Sequence, residues 1–195
     1  MAYTKKETAI KNLIKGNDFS SSNFGNFRDD KEVVLQAVKQ KGRALVYASH
    51  RLKDDKDVVL EAVKQNGWVL EYASNSLKND KEVVLEAVKK SGLALRFASN
   101  SLKNDKDVVL QAVKQDVWAL EYVSDSLKND KEVVLEAVKT NGLALHYASK
   151  SIQKFCEGKD PIETLEKAIQ AEKLSSNLEK DLAKSNIAKK PSLKL

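Results

Sequence analysis

The stretch DKEVVLQAVKQKGRALVYASHRLKD, residues 30–54, decides the fold, because the chain carries it in five near-identical copies. The later copies begin at Asp55, Asp80, Asp105 and Asp130, so the period is 25 residues and the fifth copy ends at Lys154. A fixed period of roughly 20 to 50 residues is typical of solenoids, in which each repeat packs on its neighbours. Positions within a copy are numbered here as columns 1 to 25, starting from that aspartate.

Each copy contains two segments with the apolar spacing of a helix. Columns 4, 5, 8 and 9 are Val, Val, Ala and Val in every copy, which predicts a first helix. Columns 15, 16, 18, 19 and 23 are aliphatic or aromatic at i, i+3, i+4, i+7 spacing, which predicts a second helix. The sequence therefore predicts an all-α fold, a right-handed α-solenoid of five 25-residue helix-turn-helix repeats with a degenerate N-terminal cap and a C-terminal helical segment.

Capping residues are expected before both helices. The residue before each copy is Asp or Asn, with an acid three residues later, which resembles a capping box. These predicted caps of the first helix are Asp29, Asp54, Asn79, Asn104 and Asn129. Column 12 is predicted to cap the second helix, through Asn66, Ser91, Asp116 and Asn141. Column 13 is Gly in four copies but Val117 in the fourth, and because β-branched residues avoid positive φ, we expect it to be small for close helix approach.

Both flanks of the repeats (residues 30–154) differ from them. Residues 1–29 are expected to form an N-terminal helix and degenerate cap, because Thr4 and Glu7 make a capping box and Phe24 and Phe27 follow a polar loop. Residues 155–187 are expected to form an amphipathic helix that begins at Pro161, or a helix pair divided near Ser176. Residues 188–195 are expected to be a flexible basic tail.

The composition limits the class of protein. The chain has 195 residues, 42% of them hydrophobic, and one cysteine, Cys156. It lacks an apolar stretch long enough to span a membrane and an N-terminal signal peptide, which predicts no membrane partner and a location in the cytoplasm or delivery by a signal-less export route. The net charge of +6 is spread along the chain, which is weak evidence for nucleic-acid binding.

The repeat pattern VVLEAVKQNG-x-ALEYAS-x-SLKND resembles the helical repeats of a family known as domain of unknown function 4116, found largely in bacteria. The resemblance covers residues 30–154, with Phe97, Val117 and Val123 as size-tolerant departures. It implies a repeat architecture and no agreed biochemical activity.

Five copies in one chain distinguish the columns that packing fixes from those that vary. Columns 14, 17 and 21 vary and lie three and four residues apart, on one face of the predicted second helix. This variable stripe is rich in aromatic, arginine and histidine residues, which are typical of contact surfaces. It predicts a non-enzymatic protein-binding scaffold that acts as an inhibitor or effector by docking on a partner protein. The predicted partner-binding residues are Arg43, His50, Trp68, Glu71, Arg96, Trp118, Glu121, His146 and Lys150, and the remaining stripe positions are Val46, Asn75, Leu93, Asn100, Asp125 and Leu143.

Other interpretations of the same residues stay open. Column 17 alternates in charge along Glu71, Arg96, Glu121 and His146, which is equally typical of ion pairs between neighbouring repeats. Trp68 and Trp118 are as well explained by a place in the core. The stripe also alternates between Trp with Glu and Leu with Arg or His, which indicates an effective unit of about 50 residues.

Two alternative functions follow from other columns. Lysines at columns 2 and 10 form two rows that a nucleic acid's phosphates would contact, although acids at columns 1, 3 and 7 interleave with them. The C-terminal segment keeps one apolar face, formed by Ile162, Leu165, Ile169, Leu174, Leu178 and Leu182, and its leucines favour a structural role through self-association.

Residues for catalysis are scarce. His50 and His146 lie in different repeats, Cys156 stands alone, and no HExxH, CxxC, GxSxG or P-loop spacing is present. The sequence therefore predicts that the protein is not an enzyme and uses no metal or cofactor.

Overall fold

All regular structure in residues 25–188 is helical, and this range contains no strand. The computed structural model describes Lys5, Lys6, Thr8 and residues 25–188. The repeats stack in sequence order, which confirms the predicted all-α repeat solenoid. The predicted N-terminal capping box at Thr4 and Glu7, Phe24, and the tail from residue 189 lie outside the described residues.

The first helix of each repeat is ten residues long and supplies most of the core. Its column 4, 5, 8 and 9 side chains are buried in all five repeats. The five first helices are Lys31–Gln40, Lys56–Gln65, Lys81–Lys90, Lys106–Gln115 and Lys131–Thr140.

The cap of this helix is the column 1 aspartate, one residue later than predicted. The Asp80 carboxylate accepts hydrogen bonds from the backbone N–H groups of Glu82 and Val83, at 3.0 and 3.1 Å. The prediction of column 25 residues as caps, Asp29, Asp54, Asn79, Asn104 and Asn129, is therefore wrong. Both columns carry cap-type residues, but only column 1 has its carboxylate within reach of the free N–H groups of the first turn.

Column 25 side chains join neighbouring repeats instead. The Asn79 side-chain oxygen accepts hydrogen bonds from the hydroxyls of Ser99 and Ser101 in the next repeat, at 2.6 and 2.5 Å. A backbone bond accompanies this contact, because the N–H of Ser99 donates to the carbonyl of Lys78 at 2.9 Å. Asp54 and Asn104 accept from two serines in the same way, and Asp29 and Asn129 each accept from only one serine, at column 20.

The second half of the repeat is two short helices, so the prediction of one continuous second helix is wrong. Columns 13 to 18 form a six-residue 3₁₀-helix in every repeat. A further short helical segment spans columns 21 to 24 in the first, second and fourth repeats, is shorter in the third and is longer in the fifth. Between them, Ser74 has an extended backbone (φ −62°, ψ 162°) and its hydroxyl accepts a hydrogen bond from the N–H of Leu77. Serine at column 20 thus caps a new helix and ends the previous one.

The bounds of these elements follow the repeat. The 3₁₀-helices are Gly42–Tyr47, Gly67–Tyr72, Gly92–Phe97, Val117–Tyr122 and Gly142–Tyr147. The short segments after them are His50–Lys53, Asn75–Lys78, Leu102–Asn104, Asp125–Lys128 and Lys150–Cys156, and Gly25–Phe27 precedes the first repeat.

Column 12 caps the 3₁₀-helix, as predicted, in three repeats. The side chains of Asn66, Asp116 and Asn141 each accept a hydrogen bond from the N–H of the column 14 residue, at 2.9 to 3.0 Å. Ser91 occupies the same position but makes no side-chain cap bond.

Glycine at column 13 lets the next repeat approach, which confirms the predicted need for a small residue there. A Cβ atom on Gly67 would lie 2.2 Å from the carbonyl oxygen of Ala87, and Gly42 and Gly92 are equally close to the following helix. None of these three has a positive φ. The fourth repeat carries a buried Val117 instead, and its 3₁₀-helix packs less closely on the first helix of the fifth repeat.

A single long helix, Pro161–Ala188, follows the repeats. The carboxylate of Asp160 accepts a hydrogen bond from the N–H of Glu163 at 2.7 Å, so the helix begins at Pro161 as predicted. It continues through the predicted division at Ser176. The helix runs antiparallel to the first helix of the fifth repeat, because Lys131 pairs with Glu172 at the start of that helix and Lys139 pairs with Glu166 at its end.

Candidate functional site

Columns 14 and 17 of the variable stripe lie on the surface of the 3₁₀-helices, whereas column 21 lies at or just before the start of the short segment that follows, so the prediction that all three share one helix is wrong. All nine predicted partner-binding residues are exposed, whereas Val46 and Leu93 of the same stripe are half-buried. Trp68 and Trp118 are 39% and 38% exposed, so the interpretation that places them in the core is wrong. Columns 15 and 16 beside the stripe are mostly buried, which anchors these side chains on a packed scaffold.

Each tryptophan packs against an aromatic ring of the following repeat. Trp68 meets Phe97 with ring centroids 5.9 Å apart and an interplanar angle of 73°. Trp118 meets Tyr147 in the same way, at 5.6 Å and 76°. Edge-to-face packing of this kind is favourable and fixes the orientation of both rings.

Column 18 therefore belongs to the candidate site, although sequence reasoning assigned it to the core. Tyr47 at this column is 44% exposed, and the other four rings are half-buried. The sequence did contain a signal, because column 18 is Tyr in four of five copies. A tyrosine favours a position where its ring packs on apolar groups and its hydroxyl reaches solvent. Together these side chains form what we call the aromatic band, namely Tyr47, Trp68, Tyr72, Phe97, Trp118, Tyr122 and Tyr147.

Arg96 joins the aromatic band through its guanidinium group. Its Cζ atom lies 5.1 Å from the centroid of Phe97 in its own repeat and 5.8 Å from that of Tyr122 in the next. Both distances are in the range of a cation–π interaction. Within residues 25–188 no ion pair joins Arg96 to Glu71 or Glu121, so the charge ladder predicted at column 17 is wrong.

An ion-pair ladder exists at a different place, on the first helices. The Lys56 ammonium lies 2.8 Å from Asp80 and 2.8 Å from Glu82 of the following repeat. Its hydrogen bonds, first to Asp80 and then to Glu82, raise the pKa of Lys56. Lys31, Lys81 and Lys106 make the same contacts, and Lys6 makes them with the acids of the first repeat. The predicted positive row at column 2 is thus paired with acids.

The C-terminal helix continues this ladder past the fifth repeat. Glu132 contacts Lys106 and also Lys173 of the C-terminal helix, at 2.7 and 2.9 Å. These hydrogen bonds, the one from Lys106 being the stronger cause, lower the pKa of Glu132 to about 2. A groove of about 420 Å³ lies between Lys106, Glu132, Glu172 and Lys173. The charged groups that line this groove already pair with one another.

Groups that often carry chemistry are scattered. His50 and His146 are exposed and lie in the first and fifth repeats. Cys156 is buried, and burial raises the pKa of its thiol. Among the residues that the structure describes, no three His, Cys, Asp or Glu side chains are placed to hold a metal ion. No helix in the same part of the chain is long and apolar enough to cross a membrane.

Comparison with known proteins identifies the repeats. The family model described as domain of unknown function (DUF4116) matches three times, over residues 30–78, 80–128 and 105–153, and each match spans two consecutive repeats. Comparisons with curated proteins and with solved structures give no match. The chain therefore belongs to the DUF4116 family of helical repeats.

Proposed function

We propose that the protein is a non-enzymatic scaffold that binds a partner protein through the aromatic band and the exposed residues of the variable stripe. The observation that carries this proposal is the pair of tryptophans, each more than one third exposed and each held edge-on by the next repeat. Trp, Tyr and Arg dominate the binding energy of protein interfaces. Rings that are already fixed lose little entropy on binding, which favours affinity.

The charges beside the aromatic band indicate what the partner presents. Arg43 and Arg96 alternate with Glu71 and Glu121 along the stack, one residue per repeat. A complementary surface therefore carries acidic and basic groups in alternation, with apolar side chains between them for the two indoles. Occupation of such a surface is how an inhibitor or effector without catalytic residues would act.

Binding of a protein is favoured over binding of a nucleic acid by the state of the lysines. Phosphate contacts require unpaired cations, but the column 2 lysines of the first four repeats each hold two acids of the next repeat. In the column 10 row, Lys89 and Lys139 are also paired, with Glu86 and Glu166, which within residues 25–188 leaves Lys39, Lys64 and Lys114 as the lysines of that row for phosphates to contact. The exposed rings remain able to stack on bases, so nucleic acid is an outcome that the experiment must distinguish.

The test is affinity capture with matched variants of the full chain. Immobilised wild type, the double variant Trp68→Ala/Trp118→Ala, and the control Lys64→Ala/Lys114→Ala are exposed to the same lysate, in parallel samples with and without nuclease treatment, and captured proteins are quantified by mass spectrometry. The control changes two exposed lysines on the first helices, away from the aromatic band.

We expect a protein retained by wild type and the control and lost with the tryptophan variant. Its purified form should then bind the tryptophan variant at least about 30-fold more weakly, because a single hot-spot truncation costs about 2 kcal/mol. Equal capture by all three chains would contradict the proposal. Capture that disappears on nuclease treatment and falls steeply with salt would assign the aromatic band to nucleic acid instead.

A further inference from the structure

The C-terminal helix has two apolar faces that point in opposite directions. Leu165 is fully buried and Ile169 is half-buried on the face that packs on the fifth repeat. Leu174, Leu178 and Leu182 are 71%, 63% and 56% exposed. At about 100° per residue, these three leucines are centred roughly opposite Leu165 and Ile169. The exposed leucines are therefore a separate surface, which no continuation of the repeat stack would cover.

Leu174 and Leu178 of this second face belong to a row of positions with the spacing of a coiled-coil seam, and Leu182 lies one position to the side of that row. Positions 164, 167, 171, 174, 178 and 181 follow one another at alternating intervals of three and four residues. Such a seam pairs with one other helix along a narrow line. Leu174 and Leu178 lie in the middle of it, with Ala171 beside them, Lys167 one turn before and Asp181 one turn after.

We infer that this seam pairs with the same seam of a second copy of the chain, in antiparallel orientation. The charges select the orientation. A parallel pair would place Lys167 against Lys167 and Asp181 against Asp181. An antiparallel pair that sets Leu174 against Leu178 brings each Lys167 within one turn of the other copy's Asp181, a distance that a lysine side chain spans. The seam is complementary to itself only in that direction.

The rest of the molecule leaves room for this arrangement. The helix has 28 residues, about 42 Å at 1.5 Å per residue, and only its first half packs on the repeats. In the antiparallel pair the two repeat stacks lie at opposite ends and on opposite sides, because Leu165 and Ile169 face away from the seam.

The test is the association state of the full-length protein and its variants, measured by sedimentation equilibrium over a range of concentrations. Wild type should show a concentration-dependent monomer–dimer equilibrium. Leu174→Lys/Leu178→Lys should be monomeric, whereas the control Leu143→Lys, an exposed leucine of the fifth repeat, should dimerise as wild type does. Circular dichroism should be unchanged in both, since all three side chains are exposed.

A charge exchange tests the orientation. Lys167→Glu and Asp181→Lys should each raise the dimer dissociation constant about tenfold or more. The double variant Lys167→Glu/Asp181→Lys should restore it, because the exchanged charges still face each other in the antiparallel pair. Lys167 also pairs with Glu163, and Asp181 with Lys184, within the same helix. The double variant restores neither contact, so recovery reports the contact between copies. A wild type that stays monomeric at all concentrations, equal dissociation by Leu143→Lys, or no recovery in the double variant would overturn the inference.

Discussion

Alanine at Gly67 and alanine at Gly142 should have opposite effects on stability, although the two glycines occupy the same column. A Cβ atom on Gly67 would lie 2.2 Å from the Ala87 carbonyl oxygen and 3.2 Å from the backbone nitrogen of Ser91. Both obstacles are backbone atoms, so no side-chain rotation relieves the contact. At Gly142, where no repeat follows, an added Cβ meets nothing within 4 Å.

The magnitudes follow from these contacts. Overpacking at Gly67→Ala should lower the free energy of unfolding by about 1 to 3 kcal/mol, because the third repeat must shift away from the second. Gly142→Ala should raise it by about 0.4 to 1 kcal/mol, since alanine restricts the unfolded chain and the native φ at this position is not positive. The two variants should therefore differ by about 1.5 to 4 kcal/mol.

Urea unfolding followed by far-ultraviolet circular dichroism measures this difference, with equal slopes required for comparison of the midpoints. Fluorescence of the two tryptophans supplies a second probe, because a stack of repeats can lose cooperativity when one junction weakens. If Gly67→Ala and Gly142→Ala unfold within about 0.5 kcal/mol of each other, the glycines are not there for close approach and the packing argument is wrong.

Three further predictions test other contacts. Ser124→Ala loses a helix cap as well as a bond to the preceding repeat and should cost about 1 to 2 kcal/mol. Ser126→Ala loses a bond to the preceding repeat but no cap, and should cost less; the bond between the two hydroxyls is lost in both variants, and equal midpoints in urea would contradict this. Leu165→Ala should cost about 2 to 5 kcal/mol because the side chain is fully buried, and Leu174→Ala should stay within about 0.5 kcal/mol of wild type at concentrations where the protein is monomeric. Urea unfolding at such concentrations that ranks them otherwise would refute the position of the C-terminal helix. The pKa of Glu132 falls from an ordinary 4.5 to about 2 in the folded protein, so the stabilisation that its carboxylate provides is complete above pH 4.5 and is lost as the pH falls towards 2. The free energies of unfolding of wild type and Glu132→Gln should therefore converge over that interval. A difference that stays constant with pH would show that the carboxylate is not responsible.

The repeat itself was predictable because five copies reveal which columns cannot change. The buried columns 4, 5, 8 and 9 and the small column 13 follow from that comparison, and the structure gives each of them a contact. The two errors in the repeat share one cause. Columns 20 and 25 carry Ser and Asp or Asn, which cap helices and also bridge separate segments. The sequence alone does not show which of these side chains accepts a hydrogen bond from a free helix N–H group and which bonds to a neighbouring repeat.

The candidate site was predictable only where it is polar or variable. Exposure of columns 14, 17 and 21 follows from their variation, but the column 18 rings do not vary and resemble core residues. These rings are only half-buried because the 3₁₀-helix ends directly after them. The sequence predicts that one helix continues through this point. Because the predicted local structure was wrong, five of the seven members of the aromatic band were assigned to the core.

The alternation over 50 residues has a packing explanation that limits what it says about binding. Each column 18 ring from Phe97 onward is covered by one side chain of the preceding repeat. Trp68 covers Phe97 from column 14, Arg96 covers Tyr122 from column 17, and a tryptophan again covers Tyr147. A repeat with Trp at column 14 thus covers the next column 18 ring without an Arg at column 17. The third repeat, which has Leu at column 14, covers that ring with Arg96. Trp at column 14 with Glu at column 17, and Leu at column 14 with Arg at column 17, are thus two ways to cover the same ring. The argument for a binding partner therefore depends on the exposed fraction of these rings and not on the alternation of the residues.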